Sequence, residues 1–471
     1  MNSRNVYLLK NISYLAIGQL ATKILMFLLL PLYTSILDPQ EYGTFDLCIS
    51  TIALILPIFT VNITEAVLRF SVNSKKNEII FTNGLKMIFL SHIICFVFII
   101  INSYYCVFPL IQEHSIIFFI IYILSSLLEL HINFARGINK MSFVAISGFI
   151  GSLTNIVLNI ILLCCFHLKL LGFFESYIVS LCVQIIYLGC KFKINKYIVF
   201  KDMFSGELYN MLKYSFPLIW NSIAWWFNDI SNRYIIAYFC GVYETGIYAA
   251  GTRIPAILAV IQSIFNKAWI VSAIKNFEDK DSDDFFSNTY KIYNSSMLIS
   301  CSFLILCNKF LADILFDDKF YEAWKYSPLL LISLVFGALS GYLGGIFAAK
   351  KVTVMYSYST ILGACSNIII CIVFIPILGT IGASIASVIS GILVWWFRIY
   401  KVKKFINLKI NLKKDIENYS VLLLQAIVML LTNGIKMYIA LLLCFLFIVI
   451  QNKQILLIII KTITNMWGKK K

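Results

Sequence analysis

The sequence predicts an all-α polytopic membrane protein of about 14 transmembrane helices: two six-helix bundles in parallel repeat plus two C-terminal helices, both termini cytoplasmic. Three observations predict it: an apolar fraction too high for water, basic residues concentrated on one side, and short motifs that recur between the halves. Of 471 residues 60% are apolar, about 283, whereas a soluble domain holds about 45–50%. Only 39 basic and 23 acidic residues remain to meet water. This composition excludes a soluble enzyme, a disordered chain and a collagen-like fibre. At roughly 20 residues per membrane helix, the apolar residues suffice for a dozen or more spans.

The first apolar run, 12–37, is too long for a signal-peptide core and lacks a small-residue cleavage site, so it reads as a membrane helix. Runs at 43–68, 80–104, 115–134, 143–166 and 171–190 complete the first six spans. A second six follows at 211–238, 246–272, 288–308, 325–349, 353–375 and 379–400. The last two lie at 417–432 and 435–452; the former is short, so twelve spans plus a membrane-surface pair is the alternative. The expected divisions are an N-terminal bundle over 1–208, a C-terminal bundle over 209–403, and two extra helices with a basic tail over 404–471.

Connectors assigned alternately to the two sides test this parse. One side collects 30 of the 39 basic residues, including Arg69, Arg136, the run Lys191 to Lys213, the run Arg398 to Lys414, and Lys469 to Lys471. The other side has five: Lys169, Lys309, Lys319, Lys325 and Lys436. That asymmetry places both termini in the cytoplasm. It also accounts for the net charge of +16 without a nucleic-acid partner. Trp269, Trp395 and Trp396 near inner ends, and Trp324 near an outer one, fit an aromatic belt. The thirteen cysteines are dispersed through apolar runs without a CxxC pair and read as filler. No connector is long enough to fold as a domain, so function is expected inside the bundle.

Two stretches match between halves. Glu41-Tyr42-Gly43-Thr44-Phe45 resembles Glu244-Thr245-Gly246-Ile247-Tyr248 at an offset of 203, and Gly151-Ser152-Leu153-Thr154-Asn155 resembles Gly363-Ala364-Cys365-Ser366-Asn367 at 212. Leu171-Gly172 and Ser180 then align with Leu378-Gly379 and Ser387. Matches in one order at similar offsets indicate duplication of a six-helix unit, related by an axis along the membrane normal.

Four charges lie in the middle or outer parts of the first two helices of the two halves. Lys23 sits mid-span in the first helix and Asp229 in the seventh, while Arg233 and Arg253 lie in the outer parts of the seventh and eighth. Each mid-bilayer charge costs about 2.5–3.5 kcal/mol even on insertion scales, so several together imply a function. Gln19, Thr22 and Lys23 share an arc of about 100° on one helix; Asn221, Ser222, Asn228, Asp229, Asn232 and Arg233 span about 140° on another. Polar stripes on helices of both halves describe a wet cavity. Their net charge of +2 suits an anionic ligand. The competing reading is that Asp229 and Arg233, four residues apart, neutralise each other. Glu65 and Arg69 share that spacing, and there the structural reading is preferred. Glu129 either carries a proton or pairs with Arg136. No GxxxxGK[ST], HExxH or GxSxG occurs, and the four histidines (92, 114, 131, 167) are scattered, so no enzyme activity, metal or cofactor is expected.

Leu30-Pro31-Leu32-Tyr33-Thr34, Glu41-Tyr42-Gly43, Glu65-Ala66 and Arg69-Phe70 resemble the opening of Wzx-type polysaccharide flippases, which move O-antigen or capsule repeat units. Tyr214-Ser215-Phe216-Pro217-Leu218, Asn232-Arg233, Gly246-Ile247-Tyr248 and Lys267-Ala268-Trp269 resemble the same family's second half. The resemblance spans about residues 8–400. It implies the multidrug/oligosaccharidyl-lipid/polysaccharide exporter superfamily, residence in the bacterial cytoplasmic membrane, and an undecaprenyl-diphosphate-linked oligosaccharide as substrate. The protein would then flip this lipid by alternating access, among membrane lipids, beside a polysaccharide polymerase and a chain-length regulator. On this reading Lys23, Arg233, Arg253, Gln19, Asn228 and Asn232 bind substrate, and Asp229 and Glu129 couple transport to H⁺ or Na⁺. Where the family often has Asp beside the arginine, this chain has Asn232, with Asp229 one turn earlier. The alternatives are a drug/ion antiporter of the same superfamily and a membrane polysaccharide polymerase or ligase. An enzyme of that kind usually carries a sizeable outer loop, whereas the longest here is about 16 residues (309–324).

Overall fold

A computed structural model describes residues 27, 29–72, 74–106, 109–199, 206–276, 282–350 and 352–453. Helices dominate, and no strand occurs among the described residues. Among the described residues nine helices are long and apolar enough to cross a membrane, or eleven when two bent pairs each count as one span. Many apolar side chains lie exposed on them, among them Ile377, Leu431 and Ile435, each more than 70% accessible. In water this surface would be a liability; in a bilayer it faces lipid. The protein is a multi-pass membrane protein. The chain divides into two compact units, residues 1–230 and 231–471.

The first unit contains α1 (Leu30–Ile36), α2 (Pro39–Phe59), α3 (Ile63–Ser71), α4 (Asn77–Tyr105), α5 (Ser115–Gly137), α6 (Met141–Asn159), α7 (Lys169–Phe192) and α8 (Gly206–Asp229). The start of α2 is written locally. Pro39 occupies its first turn, and the Asp38 N–H donates to Glu41 Oε2 at 2.9 Å, satisfying an amide at the helix end. The repeated motif Glu41-Tyr42-Gly43 therefore begins as a helix-start signal.

The span expected over 43–68 is broken. Pro57 lies within α2, and Val61 (φ 53°) and Asn62 (φ 51°) adopt left-handed backbone before α3 resumes at Ile63. The Asn62 N–H reaches back five residues to Pro57 O at 2.9 Å, closing the helix end inside protein. Two apolar clusters pack on either side of the break. Cys48, Ile52, Phe118, Tyr122 and Phe174 join α2, α5 and α7, and Val67, Phe81, Leu130 and Met211 join α3, α4, α5 and α8. Helices α3 and α5 approach closely, since a Cβ on Gly137 would lie 2.7 Å from Ser71 Cβ. At its C-terminal end α6 widens into a π-helical segment, Ile160–Cys165.

The second unit contains α9 (Ser231–Cys240), α10 (Val242–Gly251), α11 (Arg253–Asn276), α12 (Ser282–Leu306), α13 (Ser327–Ala349), α14 (Thr353–Leu378), α15 (Ile381–Val402), α16 (Leu412–Leu431) and α17 (Gly434–Gln451). Helix α13 is the most enclosed span, packed among α11, α12 and α15. Phe265, Trp269, Tyr293 and Tyr342 stack beside it, with Trp269 and Tyr342 ring centroids 4.1 Å apart and Trp269 Nε1 donating to Tyr342 O at 2.8 Å. At the C-terminal end of α15, buried Arg398 donates to Ser359 Oγ (2.8 Å), Ser340 O (2.6 Å) and Thr360 Oγ1 (3.2 Å), tying α13, α14 and α15 together. The last two described helices, α16 and α17, dock on α12. Ser302 Oγ donates to Gln425 Oε1, Ser295 Oγ to Asn452 Oδ1 and Asn294 Nδ2 to Asp415 Oδ1, at 2.8–3.0 Å.

Two sequence expectations change. The aromatic belt fails for three of its four members. Trp269, Trp324 and Trp395 are buried, and Trp395 Nε1 donates to Tyr290 OH at 3.1 Å; Trp396 alone of the four is exposed. Inside a bundle the indole ring packs and its N–H finds a protein acceptor, so position near a span end did not imply the interface. The span expected over 211–238 is also divided: α8 ends at Asp229 in the first unit, and α9 begins at Ser231 in the second.

Candidate functional site

A cavity of about 670 Å³ opens within the first unit, around the break between α2 and α3. Pro57 and Asn62, at the break, are both on its lining. Its polar lining comes from three helices: Asn62 and Glu65 of α3 and the residue before it, Ser125 and Glu129 of α5, and Asn221 and Ser222 of α8. The spacing is helical. Asn62 and Glu65 are three apart, Ser125 and Glu129 four apart, so each pair shares a face. Apolar walls come from Ile52, Leu56, Leu128, Leu181 and Leu218, with Tyr177 of α7 beside them.

Two hydrogen bonds organise the polar side. Thr64 Oγ1 donates to Glu129 Oε1 at 3.0 Å, and Asn62 Nδ2 donates to Ser222 Oγ at 3.0 Å. The second bond joins residues 160 apart and, with Trp226 Nε1 donating to Ser50 O at 2.8 Å, fastens α8 to α2 and α3. Both partners weighed for Glu129 are close to other groups as well. Arg136 donates to Asn133 Oδ1 at 2.9 Å, and the carboxylate of Glu129 meets a hydroxyl at the cavity. The expected pairing of Glu65 with Arg69 is not formed. Glu65 faces the cavity, and Arg69 points out as an exposed side chain. No Lys, Arg or His lines this cavity among the described residues.

The other expected site residues fall elsewhere. Lys23 and Gln19 lie outside the described residues, as do the side chains of Asn228 and Asp229. Arg233 on α9 and Arg253 at the start of α11 are half-buried and belong to the second unit. Asn232 is buried, and its amide is used within that unit: Nδ2 donates to Ser387 Oγ (2.9 Å) and Tyr248 OH (3.2 Å). Its Oδ1 accepts from Asn367 Nδ2 (2.6 Å) and Cys371 Sγ (3.2 Å). With both ends of the amide engaged, Asn232 supports the helix that carries Arg233 and has no group left for a ligand. A related cluster occurs in the first unit, where Asn159 Nδ2 donates to Asn155 Oδ1 (2.7 Å) and to Tyr33 OH (3.2 Å). Asn155 and Asn367 are the asparagines of the repeated motif, and each belongs to a polar cluster with the first described helix of its own unit.

A sequence profile described as polysaccharide biosynthesis protein matches residues 8–271, more than half of the chain. The chain belongs to this polysaccharide biosynthesis protein family. No curated protein matches it. Solved structures show which fold this polysaccharide biosynthesis protein has. It is similar to an inward-facing multidrug resistance MATE family transporter of the MOP superfamily, with TM-score 0.68 and 13% identity over 83% of this chain and 98% of that one. It is also similar to the lipid II flippase MurJ in an inward closed conformation, with TM-score 0.68 and 15% identity over 94% of this chain and 98% of that one. A MOP superfamily transporter from Pyrococcus furiosus matches with TM-score 0.58 and 14% identity over 84% and 96%. The polysaccharide biosynthesis protein thus has the MOP transporter fold.

The sequence found Glu129 because a carboxylate inside an apolar span is conspicuous. It missed Asn62, and it assigned Glu65 to the membrane surface. Pro57 and the unusual pair Val61-Asn62 were the local signals of a helix break, but that Asn62 bonds Ser222 is a tertiary fact.

Proposed function

We propose that the protein is a flippase that moves undecaprenyl-diphosphate-linked oligosaccharide repeat units across the bacterial cytoplasmic membrane, by ion-coupled alternating access, for O-antigen or capsule synthesis. The observation that carries this reading is a cavity with a mixed polar and apolar lining inside a membrane helix bundle whose family is that of polysaccharide biosynthesis proteins. The shared fold with a protein described as a lipid II flippase supports a lipid-linked substrate. In this proposal Lys23, Arg233 and Arg253 hold the diphosphate, Gln19 and Asn228 contact the sugars, and Glu129 and Asp229 exchange H⁺ or Na⁺ to reset the cycle. Asn232 keeps the α9 segment in place. The polyprenyl tail stays in lipid, and no covalent step is needed. The proposal retains the fourteen-span topology with cytoplasmic termini and the duplicated six-helix plan.

A second reading has one observation in its favour: Glu65 and Glu129 line the cavity and no basic side chain does among the described residues, a lining that suits organic cations. One experiment separates the two. The protein is reconstituted in vesicles with a fluorescent lipid-linked oligosaccharide or a fluorescent organic cation, with and without H⁺ and Na⁺ gradients. Flipping of the lipid that exceeds protein-free vesicles and falls at least about tenfold in Lys23→Ala and Arg253→Ala supports the flippase. Gradient-driven cation uptake without lipid flipping replaces it with the antiporter.

A further inference from the structure

We propose that the cavity at the α2–α3 break is a sugar subsite selective for non-acidic sugars, those bearing hydroxyl, N-acyl or ammonium groups, and that it excludes uronates. This rests on the flippase reading and names the kind of glycan that one cavity takes. The volume of about 670 Å³ lies inside the roughly 300–1,000 Å³ range of small-ligand sites. Its lining is mixed in the way a pyranose requires. Asn221, Ser125 and the Asn62–Ser222 pair offer neutral donors and acceptors for hydroxyl and amide groups, and the Leu128, Leu181 and Tyr177 wall offers apolar surface for C–H faces.

Charge then decides among sugars. Among the described residues the carboxyl groups on the lining are Glu65 and Glu129; Arg136 acts electrostatically on Glu129 while donating to Asn133, and Arg69 is exposed, so Glu65 is the acid left to meet a ligand. A sugar carboxylate placed here meets like charge at a few ångströms, within partly desolvating walls. Even at an effective dielectric near 20 such repulsion slows passage by about tenfold or more. An ammonium or a neutral hydroxyl meets no such penalty. The sequence had suggested a cationic cavity throughout. The diphosphate and the sugar instead call for different surroundings, and this cavity matches the sugar end.

The test uses the full chain in vesicles of phosphatidylethanolamine and phosphatidylglycerol, with three probes on one polyprenyl diphosphate. The probes are disaccharides ending in N-acetylglucosamine, glucosamine or glucuronic acid. The first two are expected to flip at rates within about threefold of each other, and the glucuronate at least about tenfold slower. Glu65→Gln is expected to raise the glucuronate rate severalfold relative to the N-acetyl probe, while Glu65→Asp keeps the exclusion. Equal rates for all three probes overturn the subsite and leave the flippase standing. Failure of all three to move overturns the flippase reading, and the subsite with it.

Discussion

At the scale of single residues, hydrogen bonding distinguishes two polar groups that the sequence treats alike. Asn232 and Glu129 both looked like site residues. The amide of Asn232 is consumed by four hydrogen bonds inside the second unit, whereas Glu129 keeps one hydroxyl partner and faces open space. Glutamine at position 129 has the same shape and still accepts from Thr64, so Glu129→Gln is expected to leave the unfolding temperature within about 2 °C of wild type. The loss is expected in coupling instead. Flipping by this variant should no longer respond to an imposed H⁺ or Na⁺ gradient, and a wild-type gradient response would remove Glu129 from the coupling role. The chemistry of Glu129 was legible in the sequence because charge inside an apolar run is rare. The satisfaction of Asn232 was not, because its partners Asn367, Cys371 and Ser387 lie more than a hundred residues away.

At the scale of elements, the break after α2 matters most. A hydropathy scan reads 43–68 as one span, since Asp46, Asn62 and Glu65 are too few among apolar neighbours to interrupt an average. The backbone nevertheless turns left-handed at two successive residues, Val61 and Asn62, before α3 begins. Asparagine tolerates this conformation and valine does not, because its branched Cβ crowds the following carbonyl. The strain at Val61 is of order 1–2 kcal/mol. Val61→Gly should therefore stabilise the protein by up to about 1 kcal/mol once the added freedom of the unfolded chain is subtracted. Thermal unfolding in detergent measures it; a lower unfolding temperature would show that the valine side chain contributes more by packing than it costs in strain. The break lies on the lining of the cavity between α3, α5 and α8.

At the scale of the whole molecule, topology was the most accessible property. Thirty basic residues on one set of connectors against five on the other predict the orientation irrespective of how the helices pack. A fluorescent protein fused after Lys471 should fluoresce in cells, and alkaline phosphatase inserted within 309–324 should be active. Activity of phosphatase at the C-terminus would invert the proposed orientation. Docking of α16 and α17 along α12 shows that the last two described helices are fastened to the second unit by polar side chains as well as by apolar packing. In lipid, where apolar contact alone gives helices little reason to associate, such bonds specify which neighbour is chosen.

The sequence by itself determined the solvent of this protein, the order of its helices, the repeated motifs and the few charged residues inside its spans. These follow from composition and local periodicity, which need no knowledge of neighbours. Only the tertiary structure decided that three of four expected interfacial tryptophans are buried, that Asn232 is occupied, and that Glu65 turns inward to join Glu129 beside a broken helix. Each of these depends on a partner far away in the chain, as Asn62 depends on Ser222, and a hydrogen bond across 160 residues leaves no trace in local hydropathy.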